Sequence, residues 1–491
     1  MHAQYARSTA YDDGLRFSAK GRHADAIQCY EQALAVEPDS PRVLFALANT
    51  AAALGLARPA EEFFRRVLAL DPARLEALVN LGNLLRSQGD FTAAIALLEP
   101  AKARAPDSPE LWLTLGSAYR EFGDWQQAEF HFREALNLRE SYVPALVNLA
   151  DILTDHGSRS DALALYEQAI RRDPANAQAR MNRAILHLLD GNLKDGWKDY
   201  GARLKLPGKA PIVDHRLKRW DGGSLKRVRL LVTAEQGVGD QMMFASVLPE
   251  LAQRARTEGG AIVLECEPRL AGLFARSFDG VSVHAAQQVT RDGTVHARYD
   301  WLKSAGGANA AIELGSVPRH LRGSLDAFTK TGSYLLPDEA ERRYWKSTFD
   351  GLRQAPVIGV CWRSGKSGGA RSLQYAPLAA WAAFIRELPG AIVCAQYDAT
   401  ADEIAALEAA SGRTILVPQN LDQKNALDRT AAMLSALDCV VSAPTAVSWL
   451  AAGCGTATYK ILYDTSWTSF GQRHEPFAPA CMCITPPTPG D

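Results

Sequence analysis

Ala26, Ala60, Ala94, Ala128 and Ala162 recur at a constant spacing of 34 residues through the first third of the chain. Four further columns hold the same register. A large apolar or aromatic residue follows each alanine by four: Tyr30, Phe64, Leu98, Phe132 and Tyr166. A small residue comes three later: Ala33, Val67, Ala101, Ala135 and Ala169. Pro38, Pro72, Pro106 and Pro174 close four of the five units, with Glu140 at the remaining position. Leu47, Leu81, Leu115 and Leu149 sit early in the later four. Such a register requires a repeated supersecondary unit whose neighbours stack on one another, because no single unit buries its apolar face alone.

The period and pattern are those of tetratricopeptide repeats (TPR). Each unit is then two antiparallel helices. Small residues let the helices approach, the aromatic fills the gap, and proline stops the second helix. Gly14, Gly82 and Gly116 form another small-residue column, where the helices cross. A sixth unit begins near Ala177 and keeps Ala184, Gly191 and Tyr200, with Gly196 in place of the alanine. It reads as a cap that hands over to another domain. The first 207 residues are therefore a binding solenoid, and any chemistry lies beyond them.

The chain's 491 residues suit about three units of ordinary domain size, and its 47% hydrophobic and 22% charged residues are ordinary globular values. Lys+Arg 54 against Asp+Glu 55, with no basic tail, excludes a nucleic-acid binder driven by phosphate neutralisation. The eight cysteines are scattered, mostly in apolar runs, as reduced thiols are. Cys481 and Cys483 lack the second pair a metal site needs, and His474 stands as a surface histidine. The N-terminus MHAQYARSTAYDDG carries no apolar signal region, and the uncharged stretch from Cys439 to Tyr459 is interrupted by Pro444, Gly453 and Gly455. Together these point to a cytoplasmic protein with no membrane or nucleic-acid partner.

Beyond Pro207–Gly208 the period changes. Apolar runs at 228–235, 261–267 and 281–286 read as strands, and a helix is expected from Gln241 to about Ala255. Past Leu336–Pro337 the pattern restarts, with runs at 356–362, 391–397, 414–418, 439–443 and 457–462. Strands this uniformly apolar are buried on both faces, so parallel sheets flanked by helices are expected. The expected order is a solenoid over 7–207, a linker over 208–226, one Rossmann-like half over 227–336, a second linker over 337–352 and a second half over 353–484. Ligands of such sheets bind at the C-terminal ends of the strands.

The segment Glu235-Gln236-Gly237-Val238-Gly239-Asp240-Gln241 closes a strand and opens a helix. Its glycines let backbone N–H groups approach a ligand, and a helix N-terminus favours an anion. Asp240 is either a helix cap or a general base over the cleft. No Asp-x-Asp pair occurs, so a metal-bound diphosphate has no ligand pair here. Asn49, Asn80, Asn83, Asn148 and Asn182 lie on the first helices of their units. Their amides either pair with an extended peptide or bridge helices within the stack.

The segments DGNLKDGWKDYGARLKLP (190–207), AEQGVGDQMMFASVLPELA (234–252), ELGSVPRHL (313–321), GSYLLPD (332–338), VIGVCWRSG (357–365), ARSL (370–373), CAQYDAT (394–400) and VVSAPTAVSWLAAGCG (440–455) appear in that order. Together they resemble bacterial TPR glycosyltransferases of the two-Rossmann GT-B architecture, distant relatives of the heptosyltransferases and O-GlcNAc transferases. The ending YKILYDTSWTSFGQRHEPFAPAC (459–481) is most similar to the alphaproteobacterial subgroup that glycosylates flagellin.

The resemblance implies Asp240 as catalytic base, with Glu235 beside it. It implies Arg363, Ser364 and Lys366 in a donor-phosphate loop, with Arg371 and Ser372 on the same side of the cleft. Gln396 and Tyr397 would end the next strand, and Thr445 would cap a helix whose first N–H groups, from Ala446 on, meet the donor phosphate. Gly237, Gly239 and Gln241 would complete the donor side. The five asparagines would hold the acceptor protein, flagellin. The donor would be a CMP- or UDP-linked sugar, with no metal and no cofactor. Relatives carry Val-Asp-Thr where Ala443-Pro444-Thr445 stand, and histidine where Trp449 stands. Either the donor differs, an acidic nonulosonic sugar such as pseudaminic acid being the candidate, or catalysis is lost and the chain is a scaffold for flagellin-like clients.

Overall fold

The computed structural model describes residues 2–206, 212–213, 215–234, 237–291, 294–328, 332–365 and 375–486, with side chains from residue 10 onward except at residue 212. The chain separates into two compact units, Met1–Ala179 and Arg180–Asp491.

In the first unit, helices pair in sequence order: α1 (His2–Ala19) with α2 (His23–Val36), α3 (Pro41–Ala53) with α4 (Ala57–Leu70), α5 (Leu75–Ser87) with α6 (Phe91–Leu98), α7 (Pro109–Phe122) with α8 (Trp125–Leu138), and α9 (Val143–Asp155) with α10 (Arg159–Arg172). The repeat columns form their core. Ala26, Ala60, Ala94, Ala128 and Ala162 are fully buried, as are the aromatic and leucine columns. A β-carbon on Gly14, Gly82 or Gly116 would meet Tyr30, Leu98 or Phe132 at 2.4, 2.6 and 2.6 Å, so these positions admit no side chain without movement. Pro100 falls inside the third unit's second helix, which tightens into a 3-10 segment, Glu99–Ala103, where the missing N–H would have bonded. One further column sets the turns within the units. Gly21, Gly55, Gly89, Gly123, Gly157 and Gly191 all turn the chain between paired helices with φ between 71° and 97°, a conformation that favours glycine.

The second unit begins within α11 (Ala177–Leu189) and continues through α12 (Leu193–Tyr200). Its first α/β half contains β1 (Ile212–Val213), β2 (Lys218–Arg219), β3 (Arg229–Thr233), α13 (Val238–Ala245), α14 (Leu248–Glu258), β4 (Ala261–Cys266), α15 (Ala271–Ser277), β5 (Val281–Ala285), β6 (Gln287–Arg291), β7 (Thr294–Arg298), β8 (Ala310–Glu313) and α16 (Pro318–Leu321). After α17 (Glu339–Asp350) come β9 (Val357–Cys361), α18 (Leu378–Glu387), β10 (Ala391–Cys394), α19 (Ala401–Ser411), β11 (Ile415–Leu416), α20 (Leu427–Ser435), β12 (Cys439–Ser442), α21 (Ala446–Gly453), β13 (Ala457–Ile461), β14 (His474–Glu475) and β15 (Ala478–Ile484). The expected single helix from Gln241 is two, because Pro249 starts α14 afresh after a break at Ser246–Val247.

One sheet runs β2-β8-β3-β4-β5 with every pair parallel. The larger runs β11-β10-β9-β12-β13-β15-β14, parallel except for the β14–β15 edge. A small mixed sheet, β1-β7-β6, stands apart. Both large sheets wind outward in two directions from their first long strand, so the order reverses between β3 and β8 and again between β9 and β12. A doubly wound sheet opens a crevice at the C-terminal ends of the strands at such a reversal.

An aromatic cluster joins the helical cap to both halves. Trp197 of α12 packs edge-on against Phe470 and Phe477, with ring centroids 5.8 and 6.3 Å away, and its indole N–H donates to the Arg322 carbonyl at 2.8 Å. Tyr200 reaches Phe244 of α13 at 6.2 Å and Trp467 at 5.3 Å. Phe328 closes the group against Phe477 at 5.0 Å. The sixth helix pair thus shares one continuous core with the α/β sheets.

Replacing Gly116 by valine puts a branched side chain where Phe132 and the Ala128 carbonyl already lie. We expect a loss of about 1–3 kcal/mol in repeat stability, read from denaturant unfolding followed by far-UV circular dichroism. An unchanged midpoint would contradict the close approach.

Candidate functional site

The two strand-order reversals lead into two helices that touch. α13 follows β3 and α21 follows β12. A β-carbon on Gly239 would stand 3.5 Å from Cα of Ala446 and 3.6 Å from the Trp449 ring, so the first turns of the two helices meet. Each first turn leaves N–H groups without intrahelical partners, and both macrodipoles present their positive ends there. The adjoining positive helix ends favour an anion.

On the α13 side, Gly237 is the N-cap residue, and its N–H donates to the Asp240 carboxylate at 3.0 Å. Asp240 therefore caps its own helix, and a carboxylate with several acceptor sites keeps capacity for a further proton contact. Gln241 is buried, with its amide oxygen accepting from the Glu267 N–H at 2.8 Å, which ties α13 to the end of β4. Glu235 lies outside the described residues.

On the α21 side, Thr445 caps the helix. Its hydroxyl oxygen accepts from the Val447 N–H at 3.3 Å and lies 3.2 Å from the Ser442 hydroxyl and 3.5 Å from the Cys361 thiol. Gln396 is buried beneath the β9 loop. Its amide oxygen accepts from the Trp362 and Arg363 N–H groups at 3.1 and 3.0 Å, and its amide N–H donates to Asp398 at 2.7 Å. The Tyr397 hydroxyl accepts from the Gly365 N–H.

Arg363 is held from all sides. Nε donates to Glu403 at 2.6 Å and Nη1 to the Asp398 carboxylate and Ser364 carbonyl at 3.0 and 3.4 Å. Nη2 donates to the Asp398 carbonyl and to Glu403 at 3.1 and 2.8 Å. Its five N–H groups are thus matched by protein acceptors. Here it shapes the loop after β9, and holds Ser364 in it, instead of offering a donor to a ligand. The Arg363 guanidinium holds the Glu403 carboxyl down at about 2. Lys366, Arg371 and Ser372 lie outside the described residues.

Trp449, where the resembling enzymes carry histidine, caps a buried ion pair. Lys460 Nζ sits 3.8 Å from its ring centroid and 2.5 Å from Glu475. Burial alone would pull the Lys460 ammonium down, but Glu475 outweighs it and raises its pKa.

Two acidic residues went unnoticed in the sequence reading. Glu265 on β4 and Glu313 on β8 flank the C-terminal end of β3, where Thr233 pairs with Glu313 and the Ala234 N–H donates to Glu265 at 3.1 Å. Glu265 is 2% exposed. Burial pushes its carboxyl up to about 7, against partial relief from the Ala234 N–H and the Tyr299 hydroxyl, 3.2 Å away. The available signal was a glutamate interrupting the apolar run AIVLEC (261–266).

The asparagine column divides. Asn80 donates to Asn49 at 2.7 Å, bridging neighbouring repeats, and the Asn83 oxygen accepts from Arg86, which also forks onto Glu121. Asn148 and Asn182 are half-buried on α9 and α11. The eight cysteines are free thiols, and the described residues hold no group of three or more metal-ligating side chains and no helix long and apolar enough to cross a membrane.

These features define a tetratricopeptide-repeat protein with a doubly wound α/β region. Tetratricopeptide-repeat family patterns match residues 14–55, 41–74, 74–141 and 147–210. Protein FlbA of Caulobacter vibrioides is 31% identical over 469 residues, 94% of this chain and 78% of its own length. The chain belongs to the FlbA family. It is also similar to Protein O-mannosyl-transferase TMTC1 of Homo sapiens, 30% identical over 37% of this chain and 21% of that protein. A Thermus thermophilus TPR protein of solved structure, TTC0263, covers 37% of this chain at 27% identity, with a TM-score of 0.33, and 99% of its own chain is matched.

The buried carboxyl gives a pH test. Below its ordinary value of 4.5, Glu265 is protonated in folded and unfolded chains alike. Between 4.5 and about 7 the unfolded chain gives up the proton while the folded one keeps it, so stability falls as pH rises and levels off above 7. The loss is on the order of 3 kcal/mol. We expect Glu265→Gln, which keeps the acceptor oxygen, to flatten this decline in thermal melts compared across the window. A parallel decline in both proteins would assign it elsewhere.

Proposed function

We propose that this protein is a protein O-glycosyltransferase of the GT-B type, acting in the cytoplasm on flagellin. The observation that carries the reading is the meeting of α13 and α21 at Gly239 and Ala446. It sets a carboxylate-bearing helix end from one doubly wound sheet against the capped helix end of the other. The repeats suit a protein acceptor, since stacked repeats offer extended surfaces for binding proteins. The similarity to the TMTC mannosyltransferases supports a glycosylation role in general terms, through a stretch that spans only 21% of TMTC1.

The repeats hold the acceptor and bring a Ser or Thr hydroxyl to the crevice. Asp240 takes the hydroxyl proton as the oxygen attacks the anomeric carbon. The bond from that carbon to the nucleotide phosphate oxygen breaks, and its electron pair leaves with the nucleotide. The N–H groups opening α13 and α21, capped at Gly237 and Thr445, stabilise the departing phosphate without a metal. Glu235 remains a catalytic candidate beside Asp240, and Ser364, Lys366, Arg371, Ser372, Gln396 and Tyr397 remain candidates on the donor side. The donor is a CMP- or UDP-linked sugar, an acidic nonulosonic sugar among the candidates.

The commitment of Arg363 to Glu403 and Asp398 favours a second reading, in which the α/β region is degenerate and the chain serves as a scaffold for flagellin-like clients.

Asp240→Asn separates the two. Asparagine keeps an oxygen for the Gly237 N–H but cannot take a proton. As an enzyme, the variant loses sugar transfer to flagellin by about 10²–10⁴-fold, measured by intact mass spectrometry, while flagellin binding is unchanged. Undiminished transfer by the variant would remove Asp240 as the base. Wild-type protein that binds flagellin but gains no thermal stability from CMP-, UDP-, GDP- or ADP-linked sugars would favour the scaffold.

A further inference from the structure

A cavity of about 330 Å³ lies in the α/β unit among residues with no part in the proposed transfer. Its walls come from the end of α12 and the 3-10 turn after it, from β2 and the turn that follows, and from the 3-10 turn Leu314–Ser316 with α16. That volume sits at the small end of the range for ligand sites.

Three guanidinium groups line it: Arg203, Arg219 and Arg319. Arg203 is 5% exposed, donates to the Tyr200 carbonyl at 3.1 Å, and lies over the Tyr200 ring at 4.5 Å. The Ser316 hydroxyl oxygen accepts from Arg203 at 2.9 Å and from Arg219 at 3.2 Å. One oxygen thus accepts from two cations, bringing close together two like charges that repel each other. Glu313, 2.6 Å from Arg219, offsets part of this. Arg319 adds a third cation at the exposed mouth.

The one lining carboxylate is already used. Asp221 accepts from the Gly223 N–H at 3.0 Å, closing a turn. Gly222 in that turn has φ of 92°, and a β-carbon there would strike the His320 ring at 2.3 Å, so turn and imidazole are fitted together. His320 is held below its ordinary pKa by burial and then by Arg319 and Arg219, so it adds no charge at neutral pH. Trp220, 5% exposed, presents an apolar edge to the cavity, with its ring packed against His320 at 5.2 Å and under Arg254 at 5.5 Å and its N–H donating to the Gly223 carbonyl at 3.1 Å.

We infer that this cavity binds a small anionic ligand of monosaccharide size, a phosphate or carboxylate held by Arg219 and Arg319 with its ring against Trp220. The pairing of paired arginines with an aromatic wall suits bidentate capture of an oxyanion on a sugar-like body. The inference goes beyond the transferase reading and stands without it.

The test uses the full chain and three probes: inorganic phosphate, glucose 6-phosphate and glucuronate, against sodium chloride at matched ionic strength. We expect one or both sugar anions to raise the melting temperature above the chloride control, and calorimetric titration to say whether phosphate or carboxylate is preferred. Arg219→Gln and Arg319→Gln, both near the surface, should each weaken binding roughly tenfold with unchanged circular dichroism. Asp221→Asn should leave binding equal or tighter. Asp240→Asn should leave it untouched, so failure of the transferase reading and failure of this one are separable. No stabilisation beyond chloride, or binding unaffected in the Arg219→Gln/Arg319→Gln double variant, overturns the inference.

Discussion

The aromatic group around Trp197 is the constraint on which the α/β unit depends. Its rings come from α12, α13, the segment before α17 and the turns that precede and join β14 and β15. Burying them together joins regions far apart in sequence, and an indole N–H that reaches the Arg322 carbonyl fixes the orientation. Without it, the two doubly wound sheets would have fewer reasons to keep their C-terminal edges adjacent. The hydrophobic gain is large because each aromatic removes about 150–250 Å² from water.

Given that anchor, the contact at Gly239 follows a simple steric logic. A residue without a side chain lets α13 approach α21 until a would-be β-carbon is in ordinary contact with Ala446 and Trp449. The same glycine that reads as a ligand-approach residue in sequence also serves helix packing. Trp449 in turn shields the Lys460–Glu475 pair, so the position where the resembling enzymes carry histidine here stabilises a buried charge pair.

The repeat half was legible in the sequence because its information is periodic. The Ala26 and Tyr30 columns, spaced by 34, mark the same positions that are buried in the structure. The long apolar strands β3, β4, β9, β10 and β12 were also visible, since burial on both faces leaves an unbroken run. The expectation of two buried faces fails at β5, which is largely half-buried, and at β13, where exposed and buried residues alternate. β8 was missed: four residues rich in alanine have weak strand propensity, and only pairing beside β3 makes them a central strand. Asp240 could be located but not assigned, because a helix cap and a base use the same side chain. Glu265 and the inward commitment of Arg363 depend on partners more than 30 residues away, which no local pattern discloses.

The left-handed glycine between the paired helices has a further consequence. Each of the first five units carries its own turn, its own crossing and its own end, so a unit can be duplicated or deleted in one 34-residue step without disturbing the phase of the rest. The sixth pair has no such freedom, since Trp197 is committed to partners in the α/β region. Change in length between related chains should therefore fall among the first five units and come in whole multiples of a repeat, lengthening or shortening the solenoid while leaving the junction with the sheets intact.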